Sequence, residues 1–182
     1  MIQRKLIKMA PDYVGLARNF HVNPTSCKNP EHYQSYITYN SISDQHSGNG
    51  TTHILLETNS GKPTNILGYI TLRASSFLMD DGEGHELGDG ALEISELSVN
   101  QDFERQGIGA YLVRSAIVEA AELNSKCLGI KYVLVCADPA AEGFYSNSKL
   151  GFKRISDYYK MHTIPFENWN TGCIPMAIKL FI

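Results

Sequence analysis

The sequence has few cysteines, and their spacing has no recognisable pattern. Its 182 residues include 4 cysteines, at positions 27, 127, 136 and 173, and none of them forms a C-x-x-C pair. Structural zinc sites and disulfide-stapled domains both rest on closer cysteine spacings. We therefore expect neither a zinc site nor a disulfide framework, and a protein suited to the reducing cytosol.

Paired histidines and long apolar runs are also lacking. The 6 histidines form no H-E-x-x-H motif and no other paired spacing, so no metal site is predicted. The opening stretch MIQRKLIKMAPDY has no apolar segment of the signal-peptide kind, and no apolar run in the chain is long enough to span a bilayer. These features predict a cytoplasmic protein without a membrane partner.

A large excess of charge of one sign is absent too. The chain has 16 Lys and Arg against 19 Asp and Glu, a formal net charge of −3, so no overall basic field attracts nucleic acid, although a local basic patch stays compatible with these numbers. Hydrophobic residues make up 43% of the sequence, which is typical of a globular protein. The length predicts one domain that covers residues 1–182.

The pattern of apolar residues predicts a mixed fold. Two loops interrupt it, a hairpin loop at 59–65 and a polar loop at 79–90. The predicted strands are 3–10, 52–58, 66–77, 91–99, 131–137, 152–163 and 173–182, and the predicted helices are about 11–20, 29–42, 108–126 and 139–151, the last with Gly151 as its C-cap. The order predicts an α/β domain of the α+β type, with a mostly antiparallel sheet of six to seven strands flanked by helices and one β–α–β unit around 91–137.

A glycine-rich turn opens directly into the long predicted helix. The stretch FERQGIGAYL, residues 103–112, places Gly107 and Gly109 at the start of that helix. A helix N-terminus presents unpaired backbone N–H groups and the positive end of the helix dipole, so it suits a phosphate group. Taken alone, the two glycines are equally compatible with an ordinary loop.

Three segments in a fixed order carry a family resemblance. A strand that ends ELSV, the turn ERQGIG and the later segment FYSNSKLGF follow one another between residues 91 and 152. This arrangement resembles the GNAT family of acetyl-CoA-dependent N-acyltransferases, and the flanking strands extend the resemblance over nearly the whole chain. It implies acetyl transfer from acetyl-CoA to a primary amine, by direct attack of the amine in a ternary complex and without a metal.

The resemblance implies where acetyl-CoA binds. Backbone N–H groups of the turn would hold the pyrophosphate, and backbone groups of the strand end would pair with the pantetheine arm. The family usually has Gln or Arg where this sequence has Glu104, a carboxylate that disfavours phosphate unless it points away or is paired. The implied binding residues are Arg105, Gln106, Gly107, Ile108, Gly109 and Ala110 in the turn, and Leu97, Ser98 and Val99 in the strand.

The resemblance also implies three candidate catalytic residues. Tyr145 stands where family members have a tyrosine that donates a proton to the departing thiolate, although a core aromatic residue would fit the same position. Glu93 and Glu96, on the strand before the turn, are candidates for the base that deprotonates the amine. Both are equally compatible with solvated strand residues or with partners of Arg73, and many family members use no dedicated base.

Two features give different indications of the acceptor. The first is a run of nine carboxylates without a Lys or Arg, which would attract a cationic small amine or peptide or would be an ordinary solvated stretch. Its members are Asp80, Asp81, Glu83, Glu86, Asp89, Glu93, Glu96, Asp102 and Glu104.

The second feature is a closer resemblance within the family. The segments GYITLRASSF, CADPAAEGFY and PMAIKL, with Asp138 seven residues before Tyr145, resemble a bacterial subgroup of GNAT toxins that acetylate aminoacyl-tRNA and are neutralised by an antitoxin. Phosphate contacts for tRNA would then come from a basic group near the C-terminus, with Tyr158 and Tyr159 available for stacking. That group comprises Lys149, Lys153, Arg154 and Lys160. A coenzyme-A-binding regulatory domain without turnover is a third hypothesis, and the sequence leaves a homodimer open.

Overall fold

Seven strands form one sheet in the part of the chain that the computed structural model describes, residues 1–80, 86–155 and 172–180. They lie in the order β1-β2-β3-β4-β5-β7-β6. The parallel pair is β4–β5, whereas β1–β2, β2–β3, β5–β7 and β6–β7 are antiparallel. The strands are β1 (Ile2–Lys8), β2 (Thr51–Asn59), β3 (Lys62–Asp80), β4 (Glu86–Val99), β5 (Tyr132–Ala137), β6 (Lys153–Arg154) and β7 (Ile174–Lys179). The predicted fold class, a mostly antiparallel sheet of the α+β type, is confirmed.

Five α-helices accompany the sheet in the described residues. A π-helical turn, Tyr36–Asn40, joins the second helix to the third, so that the predicted helix at 29–42 extends to residue 47. Asn29 caps this segment, since its Oδ1 accepts the backbone N–H of His32 at 3.3 Å, and Pro30 occupies the first turn. The helices are α1 (Val14–Ala17), α2 (Pro30–Ser35), α3 (Ser41–Ser47), α4 (Ile108–Lys126) and α5 (Glu142–Ser146).

The predicted β–α–β unit is β4, α4 and β5. Helix α4 spans Ile108–Lys126, as the sequence predicts, and buries the stripe that recurs every three to four residues. Leu112, Val113, Ala116 and Ala120 are each at most 1% exposed. The parallel pairing joins Ala91–Ile94 to Tyr132–Val135, residue by residue. Strand β5 is almost fully buried, which explains its nearly unbroken apolar sequence.

The chain divides into two compact units. The first comprises Met1–Arg73 and Ser95–Val113, and its apolar core includes Phe20, Ile37 and Tyr69. The second comprises Ala74–Ile94 and Arg114–Ile182. Among its described residues, the core includes Phe77, Leu134 and Ala177. Each unit thus has its own buried cluster, and the expectation of one domain over residues 1–182 stays a prediction.

The prediction of one helix over residues 139–151 is wrong, because the observed helix is shorter. A 3-10 turn at Pro139–Ala141 leads into α5, which ends at Ser146. Asn147 adopts an extended backbone, and its Oδ1 accepts the backbone N–H groups of Lys149 and Leu150 at 2.9 and 3.2 Å. Asparagine competes with helix continuation through such local bonds. Gly151 has a left-handed φ of 74°, but it follows this turn and does not cap the helix.

Two predicted loops are shorter than expected. Ser60 and Gly61, both with positive φ, form a two-residue hairpin turn, so that β3 begins at Lys62, opposite Asn59. Residues 86–90, predicted as loop, belong to β4. The predicted strand at 152–163 is described only at Lys153–Arg154, and its remainder lies largely outside the described residues.

The sequence predicts no disulfide framework, and the described residues contain one disulfide that this prediction did not anticipate. Cys136 on β5 and Cys173, just before β7, are joined by a disulfide within the second unit. The two strands are antiparallel neighbours, and Cys136 lies opposite Pro175. The partners are separated by 37 residues, and a pairing that the sheet register creates has no local cysteine motif.

Gly68 on β3 has little room for a side chain, so we expect the Gly68→Ala variant to lose stability. An added Cβ would lie 3.0 Å from the Ser98 carbonyl oxygen, 3.0 Å from Ile108 Cγ2 and 3.1 Å from Leu112 Cδ1. Overpacking of this kind costs about 1–3 kcal/mol. Urea unfolding measures the loss, and the matched control is Gly15→Ala in α1, where an added Cβ meets nothing within 4 Å. A Gly68→Ala variant as stable as wild type would contradict this close packing.

Candidate functional site

The connection between β4 and α4 is anchored to β3. Asn100, which is only 6% exposed, donates its backbone N–H to the Leu67 carbonyl at 2.9 Å and its Nδ2 to the Ile66 carbonyl at 3.3 Å. Its Oδ1 accepts the N–H of Asp102 at 3.3 Å, at the start of a 3-10 turn at Gln101–Phe103. These bonds fix the start of the glycine-rich turn within the first unit.

The glycine-rich turn adopts the backbone that its sequence requires. Arg105 and Gly107 have positive φ values of 60° and 79°, and this left-handed region strains residues with a Cβ. A Cβ added at Gly107 would meet nothing within 4 Å, so this face of the turn is open. The Gly107 carbonyl accepts the N–H of Tyr111 at 3.0 Å, and α4 begins at Ile108 with no acidic residue in its first turn.

The N-terminus of α4 is therefore suited to an anion. The first N–H groups of a helix have no acceptor within the helix, and here they follow an open turn. The sequence-predicted residues Arg105 to Ala110 lie together at this helix entry. This placement fits the expected pyrophosphate site.

Both carboxylate oxygens of Glu104 accept hydrogen bonds from side chains that precede the turn in the sequence. Ser26 Oγ donates to Glu104 Oε1 at 2.8 Å, and Asn23 Nδ2 donates to Oε2 at 3.1 Å. The backbone N–H of Gln101 also donates to the His21 carbonyl at 2.8 Å. The segment that contains residues 21–26 thus binds the turn and satisfies both oxygens of the carboxylate that departs from the family pattern.

Strand β4 continues beyond its parallel pairing. Among the described residues, the pairs with β5 end at Ile94 and Val135, while β4 runs on to Val99. The sequence-predicted residues Leu97, Ser98 and Val99 lie in this extension, directly before the turn. Their position is compatible with main-chain pairing to an elongated ligand.

Glu96 is hydrogen-bonded to His32 of α2. Nε2 of His32 lies 3.0 and 3.1 Å from the two oxygens of Glu96. The Glu96 side chain is 16% exposed and that of His32 is 48% exposed. Burial raises the pKa of Glu96, and His32 and Arg73 oppose that increase. The Glu96 carboxylate is therefore partly desolvated, and the imidazole of His32 is hydrogen-bonded to it.

The other two candidate catalytic residues belong to the second unit. Glu93 is 5% exposed and lies opposite Leu134 in the parallel register, so it is not a solvated strand residue. Tyr145 on α5 is 5% exposed, and its ring contacts those of Phe144 and Phe152 edge-on, with centroids 4.9 and 5.6 Å away. The geometry of Tyr145 fits both a core aromatic residue and a proton donor.

The two charged regions predicted to select an acceptor are partly neutralised within the protein. In the acidic run, Asp89 binds Lys131 at 2.6 Å, and both Glu96 and Glu104 have the partners given above. In the basic group, Arg154 binds Glu142 through two contacts of 2.5 and 2.9 Å. Lys160, Tyr158 and Tyr159 lie outside the described residues.

Sequence patterns do not indicate three residues of this site. These are His32, Asn23 and Ser26, none of which belongs to a recognisable motif. Each lies more than 60 positions from its partner, since 64 residues separate His32 from Glu96, and 81 and 78 residues separate Asn23 and Ser26 from Glu104. No local pattern could have indicated these contacts.

Among residues 1–80, 86–155 and 172–180, no group of three or more His, Cys, Asp or Glu side chains is placed to hold a metal ion. None of the helices described there is both long enough and apolar enough to cross a bilayer.

Several solved structures of similar fold are described as toxins. A structure described as a bacterial toxin has a TM-score of 0.72 and 19% identity, over 98% of this chain and 92% of that one. A mutant of the toxin AtaT bound to the C-terminus of the antitoxin AtaR and acetyl-CoA has a TM-score of 0.71 and 18% identity, over 97% and 92%. AtaT complexed with acetyl-methionyl-tRNAfMet has a TM-score of 0.68 and 19% identity, over 95% and 94%. At these identities the likeness establishes the fold.

The sequence itself settles the family. No curated protein matches it, but the family model described as "Acetyltransferase (GNAT) family" matches residues 16–152. This match covers more than half of the chain and includes both β4 and the glycine-rich turn. The chain belongs to the GNAT family of acetyltransferases.

Proposed function

We propose that this acetyltransferase moves an acetyl group from acetyl-CoA to the α-amine of an aminoacyl-tRNA, and that a small antitoxin protein controls it. The observation that carries the enzymatic part is the open turn at Arg105 and Gly107 directly before α4 in a GNAT chain. The tRNA acceptor and the antitoxin are supported by the structural likeness to AtaT, which has been solved with both kinds of partner.

Acetyl-CoA would be held by main-chain groups of the first unit. The N–H groups of residues 105–110 suit its pyrophosphate, and the main chain of Leu97, Ser98 and Val99 suits the amides of its pantetheine arm. The ligand supplies a thioester, whose carbonyl carbon is open to direct attack by an amine. The carbon–nitrogen bond then forms, the carbon–sulfur bond breaks, and coenzyme A leaves as the thiol.

The proposed side-chain roles concern protons. An ammonium group has no lone pair, so a base must remove a proton before attack, and Glu93 and Glu96 are the candidates. The departing thiolate gains from a hydroxyl donor, the role proposed for Tyr145. Tyr145 and Glu93 follow the family pattern by position, and Glu96 is a candidate because it lies nearer the end of the same strand.

The first experiment compares acceptors. Purified protein is incubated with acetyl-CoA and with aminoacylated tRNA, deacylated tRNA, or a panel of small amines and peptides, and thiol release is measured. We expect release with aminoacylated tRNA and none with the deacylated control. Release with amines or peptides alone would replace the tRNA acceptor, and binding of coenzyme A without turnover would favour a regulatory domain.

The pairing of Glu104 gives a separate prediction. In the double variant Asn23→Ala/Ser26→Ala the carboxylate loses both partners and is left near the proposed pyrophosphate site. We expect the Kd for coenzyme A to rise about fivefold, which corresponds to about 1 kcal/mol of repulsion. The rise should shrink at high ionic strength because salt screens exposed charges.

The control for this prediction removes the charge. Adding Glu104→Gln to the double variant should restore the affinity for coenzyme A, measured by isothermal titration calorimetry. If the triple variant binds as weakly as the double variant, Asn23 and Ser26 act on the shape of the turn and the electrostatic explanation is wrong.

A further inference from the structure

We propose that His32 is a catalytic base in this reaction and that Glu96 is its positioning partner. Together they form an imidazole–carboxylate pair that takes the proton from the acceptor ammonium. The inference rests on the proposed function and goes beyond it, because it selects between the candidate carboxylates and adds a residue from α2 that the family resemblance does not supply.

The contact between the two residues sets the proton positions. Both Glu96 oxygens lie within 3.1 Å of the same nitrogen, Nε2 of His32. An ionised carboxylate only accepts hydrogen bonds, so in the neutral imidazole Nε2 is the protonated nitrogen and Nδ1 has the lone pair. A related pair, in which a carboxylate orients an imidazole base through Nδ1 and leaves Nε2 to take the proton, occurs in hydrolytic enzymes.

Exposure divides the roles between the two side chains. Only 16% of the Glu96 side chain is exposed, whereas 48% of the His32 side chain is. The imidazole can therefore meet an acceptor, and the carboxylate lies behind it. A proton that arrives at Nδ1 creates an imidazolium, and the adjacent carboxylate stabilises that charge in partly desolvated surroundings.

Aromatic packing holds the imidazole in place. The His32 ring contacts Tyr33 edge-on, with centroids 5.2 Å apart, and lies 6.2 Å from the ring of Tyr36. Tyr36 stacks on Tyr69 at 6.1 Å, and the Tyr69 hydroxyl donates to the Tyr33 carbonyl at 2.8 Å. The pair thus rests on buried rings of the first-unit core, and a base on such support keeps its orientation.

The position of Glu96 along β4 places the pair beside the proposed thioester arm. Glu96 directly precedes Leu97, the first of the three residues proposed to pair with pantetheine. A strand rises about 3.3 Å per residue, so Val99 is about 10 Å farther along the chain. Glu93 lies in the second unit, whereas Glu96 and His32 both belong to the first, and we therefore select Glu96.

Titratable or charged groups on three elements face this carboxylate. They are His32 on α2, Asp44 on α3, and Arg73 and Tyr69 on β3. Burial raises the pKa of Glu96, His32 and Arg73 lower it, and Asp44 raises it. A carboxyl with a raised pKa favours folding most at low pH, and this contribution is lost as the pH rises through the folded-state pKa. Glu96→Gln is therefore expected to be at least as stable as wild type at pH 7.

The proton balance closes without any further reactant. The ammonium of the acceptor gives one proton to Nδ1 of His32 and becomes an amine. The amine nitrogen bonds to the thioester carbonyl, and its second proton ends on the sulfur of coenzyme A when the carbon–sulfur bond breaks. His32 then returns its proton to water.

The test is the pH dependence of acetylation by His32→Gln and Glu96→Gln, with His46→Gln and Glu31→Gln as matched controls at exposed helical positions. General base catalysis supplies about 10²–10⁴-fold, and we expect His32→Gln to lose tenfold or more at about pH 6.5. The loss should shrink at about pH 8.5, where an α-amine is largely deprotonated without help. Added imidazole should restore activity to His32→Ala, because the native side chain is half exposed.

The outcomes separate this inference from the proposed function. A His32→Gln variant with the wild-type rate and pH profile overturns the inference while acetyl transfer stands. A loss that stays constant with pH, without imidazole rescue, makes His32 structural and also overturns it. If wild-type protein acetylates no acceptor at any pH while it binds coenzyme A, the proposed function fails first and the inference fails with it.

Discussion

Replacing Gly107 by valine is expected to raise the Kd for coenzyme A by about 100-fold or more, equivalent to roughly 3 kcal/mol. Gly107 has a φ of 79°, a backbone that a β-branched residue adopts only under strain. The added side chain would also stand on the open face of the turn, where the phosphates must approach the N–H groups. The fold itself should persist, since the new Cβ meets nothing within 4 Å.

Two other glycines provide matched controls. Gly48 and Gly61 also have positive φ, of 76° and 81°, and a Cβ at either meets nothing within 4 Å. Valine at these positions should bring similar backbone strain and leave coenzyme A binding unchanged. Gly109→Val, within the first turn of α4, should weaken binding like Gly107→Val. Isothermal titration calorimetry measures the affinity for coenzyme A, and thermal melting measures the stability of each variant. Wild-type affinity in both turn variants would refute the pyrophosphate assignment.

Short-range patterns account for what could be predicted from the sequence. Helix α4 follows from the repeat of Ile108, Leu112 and Ala116, and the buried strand β5 follows from its nearly continuous apolar run. The turn between β4 and α4 was also predictable because Gly107 supplies a backbone that few residues tolerate. In each case the physical cause lies within a few residues of the element it determines.

Long-range contacts account for what could not be predicted. The sequence indicated that the Glu104 carboxylate would disfavour phosphate binding. It gave no sign that Asn23 and Ser26 donate hydrogen bonds to the two carboxylate oxygens. His32 showed no motif because its partner is 64 residues away. The pairing of Cys136 with Cys173 depends on the register of β5 and β7. Such contacts depend on tertiary packing, which composition and periodicity do not specify.

The end of α5 was predicted wrongly although the local sequence has helical character. The sequence around Glu142 and Tyr145 has helical character, and Gly151 is typical of a C-cap. Helix propensity is nevertheless a weak prior, and the side chain of Asn147 captures two backbone N–H groups that a continuing helix would need. The consequence for the site is that Tyr145 lies near the end of a short helix of five residues.

The Tyr145→Phe variant is expected to lower kcat by about 100-fold, a typical size for a lost proton donor. Phenylalanine keeps the ring and its edge-on contacts with Phe144 and Phe152, so binding of acetyl-CoA and the melting temperature should change little. The hydroxyl would act only as the carbon–sulfur bond breaks. Its removal should therefore affect kcat and leave the KM for acetyl-CoA nearly unchanged. Steady-state rates of thiol release, with the acceptor saturating, provide both quantities.

Tyr132→Phe is the matched control for this prediction. Tyr132 is also a buried tyrosine of the second unit, 4% exposed, and its ring packs against Phe77 at 5.1 Å. Loss of its hydroxyl should leave kcat at the wild-type value, whereas a structural role for either hydroxyl would lower the melting temperature. If Tyr145→Phe turns over at the wild-type rate, Tyr145 is a core aromatic residue and the thiolate takes its proton from another source. If the variant instead melts well below wild type and loses kcat only in proportion to the unfolded fraction, its hydroxyl supports the fold and not the reaction.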